Sequence, residues 1–188
     1  YGGANNTITV SNDIWYTLNL EDKGYEDTRA IFMATSAPPV SIADVNRQTP
    51  APAPSDEVSI SITTSAATSP EEHVYLRYTT DGWSSSSLAE ASFTNGSGTA
   101  TIPAQANGTT VEYYVFTTTV TTPSADYDLY TIRYANNGGS NYSYTVNDAP
   151  VLTMTDDGLI TEGNEDGEVI TLSLKNDQFA ASLTSSNW

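Results

Sequence analysis

Seven oxygen-bearing side chains crowd into thirteen residues near the C-terminal end: Asp156, Asp157, Glu162, Asn164, Glu165, Asp166 and Glu168. Hard oxygen donors at that density suit calcium, which takes about six to eight such ligands from a loop and a neighbouring strand. The carboxylates among them repel one another within a Debye length unless a cation sits between them. As a calcium site the segment draws carboxylates from Asp156, Asp157, Glu162, Asp166 and Glu168, and a neutral oxygen from Asn164. The spacing is not that of an EF-hand loop. The alternative is therefore a solvated acidic turn that keeps a sheet edge soluble. Asp126 and Asp128 with Asn136 and Asn137 form a sparser grouping of the same kind, as do Glu21, Asp22, Glu26 and Asp27.

Aromatic side chains are the second source of chemistry. Trp83 follows Asp81-Gly82 at a strand end, where the loops of a sandwich gather, and a tryptophan on a turn can stack on a sugar ring. Tyr75 and Tyr114, with Tyr142 and Tyr144, would extend it into a platform on one sheet face. The competing assignment is core packing, since aromatic side chains dominate cores as readily as binding sites.

Acid–base chemistry has little to work with. His73 is the single histidine, beside Glu71 and Glu72 at the start of a strand, and no nucleophile or orienting partner is singled out for it. Nothing marks any two of the many acids as the pair that glycoside hydrolysis needs. The chain reads as non-catalytic. Asn5, Asn95, Asn107 and Asn141 begin N-x-Ser/Thr sequons, but turn chemistry accounts for most of these asparagines. Lys23 and Lys175 would permit an intramolecular isopeptide bond, for which no motif is present.

The elements that must position these residues are strands. Short alternating runs bounded by Gly, Asn, Asp and Pro dominate, and helical periodicity is hard to find. Residues 7–10, 14–20 and 29–35 read as strands of an N-terminal segment, 1–49. Thr49-Pro50-Ala51-Pro52-Ala53-Pro54 reads as an extended spacer and the best domain boundary, with 50–54 as the linker, or as an ordered strap across a sheet edge. Residues 55–147 then hold seven expected strands. Val58, Ile60 and Ile62 alternate with serines, Val74, Leu76 and Tyr78 repeat the pattern, and strands follow near 88–93, 99–102, 110–120, 128–134 and 142–147. Asn136-Asn137-Gly138-Gly139 is expected to be the turn between the last two. The size and strand spacing are those of an immunoglobulin-like or fibronectin-III-like antiparallel β-sandwich.

The remainder, 148–188, carries strands near 151–155, 168–174 and 179–184 and reads as an incomplete β-module. It is either a truncated module or a donor strand set for a neighbouring molecule. In the second case Ile170, Leu172 and Leu174 form its buried face and Trp188 a terminal anchor.

Composition narrows the setting. Six basic residues against 23 acidic ones give a net charge of −17, which disfavours nucleic acid and anionic membranes as partners. No apolar run approaches the roughly 20 residues of a membrane span. With no cysteine there is no disulfide or thiolate metal site. Abundant Thr, Ser, Asn and Tyr suit a secreted or cell-surface protein, and Tyr1 is read as a processed or fragment start.

The segments VYLRYTTDGW (74–83), IPAQ (102–105), VEYYVF (111–116) and NNGGSNYSYTV (136–146) resemble stretches of certain β-sandwich modules. Those modules belong to large secreted bacterial surface proteins and accompany α-amylase-like polysaccharide-degrading enzymes. The resemblance covers roughly residues 55–147, and the tail from Ala149 resembles the first half of a repeat module in the same proteins. It implies an extracellular, non-catalytic module and leaves the ligand open. Two functions are expected on these grounds. One is a subunit that associates with copies of itself through its tail into a filament, tube or array, stabilised by calcium. The other is a carbohydrate-binding or spacer module of a larger enzyme or adhesin.

Overall fold

The computed structural model describes residues 9–22, 28–124, 126–147, 169–173 and 180–184. It is an all-β protein of antiparallel sheets, with a single 3-10 turn at Asn137–Gly139 among the described residues. The chain divides into two compact units, Tyr1–Ala149 and Pro150–Trp188.

The centre of the first unit is a two-sheet sandwich. One sheet runs β3 (Ile42–Arg47), β4 (Val58–Thr64), β8 (Ser97–Ile102), β7 (Ser92–Thr94). The other runs β10 (Arg133–Ala135), β9 (Thr110–Thr118), β5 (His73–Thr79), β6 (Ser87–Glu90), with β11 (Tyr142–Thr145) also on β9. The alternation seen in the sequence fills the space between them. Val58, Ile60 and Ile62 face Val74, Leu76, Val111 and Val115 in one buried cluster, with Ala100, Ile102 and Tyr113. An outward-facing residue every second position is the price of the pleat, and the outer positions of β5 and β9 form the candidate face described below.

Several details differ from the sequence expectation, and of the expected strand 128–134 only Arg133 and Tyr134 lie in a strand. β3 was not expected; it pairs with β4 through a register shift between Ile42 and Asp44, and that bulge disrupts the alternation which would have revealed it. The proline stretch expected as a linker therefore lies between two strands of one sheet. Pro52 is buried, and its carbonyl accepts the Asn147 amide at 3.2 Å, so the segment is a strap along the sandwich. The expected strand 88–93 is two strands. β6 joins β5 and β7 joins β8, and buried Ala91 carries the chain from one sheet to the other.

The Asn136–Gly139 run does not reverse the chain. β10 pairs with Val115–Thr117 and β11 with Thr110–Tyr113, so both lie on the same side of β9 as one interrupted edge strand. The interruption is looped out by positive φ angles at Asn137 (51°), Gly138 (68°), Gly139 (100°) and Asn141 (59°). Asparagine and glycine tolerate that conformation best.

A separate hairpin, β1 (Trp15–Asp22) with β2 (Thr28–Thr35), has inverted polarity. Its inner face sets Asn19, Glu21, Arg29 and Thr35 beside buried Met33. Asn19 Nδ2 donates to the Leu129 and Thr131 carbonyls at 2.9 and 2.7 Å, Arg29 bridges Glu21 and Asp126, and Met33 receives the Thr118 hydroxyl at 3.9 Å. Its outer face carries Tyr16, Leu18, Leu20 and Phe32, all exposed, with the Tyr16 and Phe32 rings stacked at 5.4 Å. Two adjacent glutamates fasten the connection from the hairpin to the sandwich. Glu71 accepts the Ser36 amide and hydroxyl at 3.2 and 2.9 Å, and buried Glu72 accepts the Val40 amide at 3.2 Å.

The second unit shows β12 (Val169–Ser173) paired with β13 (Ala180–Thr184), Ile170 opposite Leu183 and Leu172 opposite Ala181. The remaining strand expected at 151–155 lies outside the described residues.

Candidate functional site: an aromatic groove on the outer sheet face

Position along β5 and β9 decides which side chains meet. Val74, Leu76 and Tyr78 point into the core, so Tyr75, Arg77 and Thr79 point outward, and on β9 Tyr114 and Phe116 do the same. The pairing sets Arg77 opposite Tyr114 and Tyr75 opposite Phe116.

Trp83 is brought to this face by a stapled turn. The Thr79 hydroxyl, on a buried residue, accepts the Trp83 amide at 3.1 Å and meets the Asp81 carboxylate at 2.7 Å. Asp81 also accepts the Ser85 amide at 2.9 Å and the Ser85 hydroxyl at 2.6 Å. The Ser85 hydroxyl and amide and the Thr79 hydroxyl hold the Asp81 carboxyl down at about 2. The staple fixes Trp83 at φ 69°, a left-handed conformation that a bulky residue adopts only when its surroundings impose it.

Arg77 is the hub of the face. Its guanidinium lies 3.9 Å from the Tyr127 ring centroid, 5.3 Å from that of Trp83 and 5.9 Å from that of Tyr114. Nε donates to the Ser86 hydroxyl at 2.8 Å and Nη1 to the Tyr114 hydroxyl at 3.0 Å. Trp83 and Tyr114 sit with ring centroids 5.5 Å apart. Burial pushes the Tyr114 hydroxyl up, against the pull of the Arg77 bond and charge, so it stays a neutral acceptor at ordinary pH. The cation fixes the planes of its aromatic neighbours.

These side chains wall a groove of about 720 Å³, closed on the far side by Tyr134 of β10 and by Asn136 and Asn141 of the looped-out segment. Tyr134 is 64% exposed and Trp83 half-buried. The indole Nε1 is buried and has no hydrogen-bond partner among the described residues, so its N–H is not offered to solvent. Asp128 and Asn141 offer side-chain oxygen and nitrogen that carry no hydrogen bond among the described residues. Flat carbon faces beside uncommitted polar atoms, in a concave site of this volume, are what small-ligand recognition uses.

Of the expected platform, Trp83 and Tyr114 meet here and the other tyrosines do not. Tyr75 shares the outward face but is 4% exposed. It stacks on Phe116 at 5.9 Å beneath the segment after β9, gives its hydroxyl to the Thr121 carbonyl, and is pushed up to about 12 by burial. Tyr144 is buried in the core, and Tyr142 packs on the core beside Tyr113, because β11 turns them to the inner face. Arg77, Tyr134 and Asn19 went unnoticed in the sequence. Arg77 had a signal, since it alternates out of phase with Val74, Leu76 and Tyr78.

The other candidates separate widely. Asp156, Asp157, Glu162, Asn164, Asp166 and Glu168 lie outside the described residues, as do Leu174 and Trp188, and the side chains of Ile170 and Leu172 are likewise not described. Among the described residues no three His, Cys, Asp or Glu side chains gather as a metal site. Asp126 and Glu21 are held by Arg29. His73 Nδ1 lies 3.2 Å from Glu90. Comparison of the chain with protein-family models, curated proteins and solved structures returns no match, so the groove is read on its own chemistry.

Proposed function

We propose that the first unit is a non-catalytic glycan-binding module of a secreted or cell-surface protein, with the Trp83–Tyr114–Tyr134 groove as its site. The observation that carries this reading is the groove itself, in which exposed aromatic carbon and uncommitted Asp128 and Asn141 side chains share one concavity. A pyranose ring presents C–H faces to aromatic rings and hydroxyls to carboxylate and amide groups, and this groove supplies both partners at once. The strand order β3-β4-β8-β7 against β6-β5-β9-β10 supports the likeness to immunoglobulin-like modules. Affinity electrophoresis in gels cast with starch, xylan, β-glucan or alginate tests the reading. Retardation by at least one neutral polysaccharide is expected, and it should vanish in Trp83→Ala with the fold preserved by circular dichroism. Equal retardation of Trp83→Ala, or none for the native protein in any gel, overturns it.

Self-association is a second reading, favoured by the exposed apolar outer face of the β1–β2 hairpin. That hairpin pairs with no other strand among the described residues, and a two-stranded sheet is marginal by itself in water. Under this reading copies join through the hairpin face or through the tail 150–188, and calcium held by the 156–168 segment relieves the repulsion between acidic subunits. Sedimentation and electron microscopy at several protein concentrations, with calcium or a chelator, test it; monomers under every condition exclude it.

A further inference from the structure

The groove does not end at Arg77. A second cavity of about 710 Å³ continues from Arg77 past Tyr127 to Leu18 and Leu20 of β1, and Asn19, Arg77 and Asp128 line both cavities. The two are halves of one trough. At its two extremes Tyr134 and Leu20 are each 64% exposed. Resting on the glycan-binding reading above, we propose that the ligand is a long, uncharged polysaccharide bound along its length, and that the N-terminal hairpin supplies the second half of its track.

Three observations carry this. Each half alone has the volume of a pocket that engulfs a small ligand, about 300–1,000 Å³, so the trough as a whole exceeds what a mono- or disaccharide fills. Exposed Tyr134 and Leu20 at the two extremes offer apolar surface to a chain longer than either cavity. Asn19, anchored to the Leu129 and Thr131 carbonyls, holds β1 at the trough, and the stretch of β1 from Leu18 to Glu21 lines it, with Leu18 and Leu20 bringing apolar surface to its rim.

Charge selects the class of polymer. The Arg77 guanidinium is set against three aromatic rings, and Arg29 is tied to Glu21 and Asp126. Asp128 remains an uncommitted carboxylate in the middle of the trough, on a chain of net charge −17. Uronic-acid or sulfated polymers are repelled, whereas neutral hydroxyls donate to such a carboxylate.

The test is calorimetric titration with malto- and cello-oligosaccharides of two to six units, with alginate as the acidic counterpart and a thermal melt on each variant. Affinity for one neutral series is expected to rise about tenfold or more from dimer to hexamer, which corresponds to about 1.4 kcal/mol, with little change on adding salt. In Leu20→Asp, an exposed position where the fold should survive, the hexamer-to-dimer affinity ratio should fall toward one. A plateau already at the dimer, an unchanged ratio in Leu20→Asp, or alginate binding as tight as the neutral series overturns the long-chain proposal while leaving glycan binding intact. Failure of every oligosaccharide and every gel removes both.

Discussion

Replacing Arg77 tests whether one cation organises the groove. Arg77→Met keeps the stem volume and removes two hydrogen bonds, to the Ser86 and Tyr114 hydroxyls, together with a guanidinium 3.9 Å from the Tyr127 ring. The bonds are worth about 1 kcal/mol each, and the closest ring contact adds roughly 0.5–1 kcal/mol at a half-exposed site. The expected loss is about 2–3 kcal/mol. For a unit near 150 residues each kcal/mol lowers Tm by about 2–4 °C, so Tm should fall by about 5–10 °C. Arg77→Lys should lie between, because an ammonium keeps the charge but cannot serve both hydroxyls in the planar geometry of the fork. Melting followed by near-ultraviolet circular dichroism, which reports the Trp83 and tyrosine environments, measures this, and glycan titration on the same samples measures the groove. If Arg77→Lys melts and binds like the native protein, the guanidinium does not organise these rings.

Glu72→Gln should raise Tm at neutral pH and change little below pH 4.5. Burial pushes the Glu72 carboxyl above its ordinary 4.5, so the stability its protonated form allows is complete below 4.5 and lost as pH rises through the folded-state value; melts across pH with no crossover would refute this. Asp81 behaves oppositely. Its carboxyl is held at about 2 against an ordinary 3.8, so its contribution is present above 3.8 and lost as pH falls toward 2, and the weakened melt and glycan binding of Asp81→Ala should merge with the native curve at that acid end. Gly98→Ala should cost about 1–3 kcal/mol by overpacking, because its Cβ would stand 2.2 Å from the Phe93 ring and 2.5 Å from the Ser92 carbonyl; an unchanged urea midpoint would show that the β7–β8 turn yields.

The strands legible in the sequence are those with one dry and one wet face. Val58, Ile60 and Ile62 were readable because the neighbouring serines face outward, and all three are fully buried. β3 was illegible because its bulge puts Asp44 where the alternation expects an inward residue, and only pairing with β4 makes it a strand. The exchange of sheets at Ala91 was hidden for a related reason. One short run, Leu88 to Phe93, serves both sheets, and nothing local says which neighbour each half will choose. At Asn136–Gly139 the residue types suggested a turn, but the left-handed residues Asn137, Gly138 and Gly139 serve a reversal and a looped-out insertion equally well, and the partner strand decides between them.

The same limit governs the site. Alternation along β5 puts Tyr75 and Arg77 on one face, and Asp81-Gly82 delivers Trp83 to it, so half of the groove follows from periodicity and a turn. Which outward residues stay open depends on what chain returns across them. The segment after β9 covers Tyr75 and Phe116 and leaves Trp83 and Tyr114 at the margin, where β10 then contributes Tyr134. The hairpin shows the inverse case. Its strands alternate cleanly, and the usual rule would place Tyr16, Leu18, Leu20 and Phe32 inside. The polar set faces inward instead because Asn19 and Arg29 satisfy carbonyls and a carboxylate that the sandwich leaves at its surface. An apolar stripe turned to water by specific hydrogen bonds is a feature that burial alone would have erased, and for that reason it is where the proposed ligand and self-association readings meet their sharpest test.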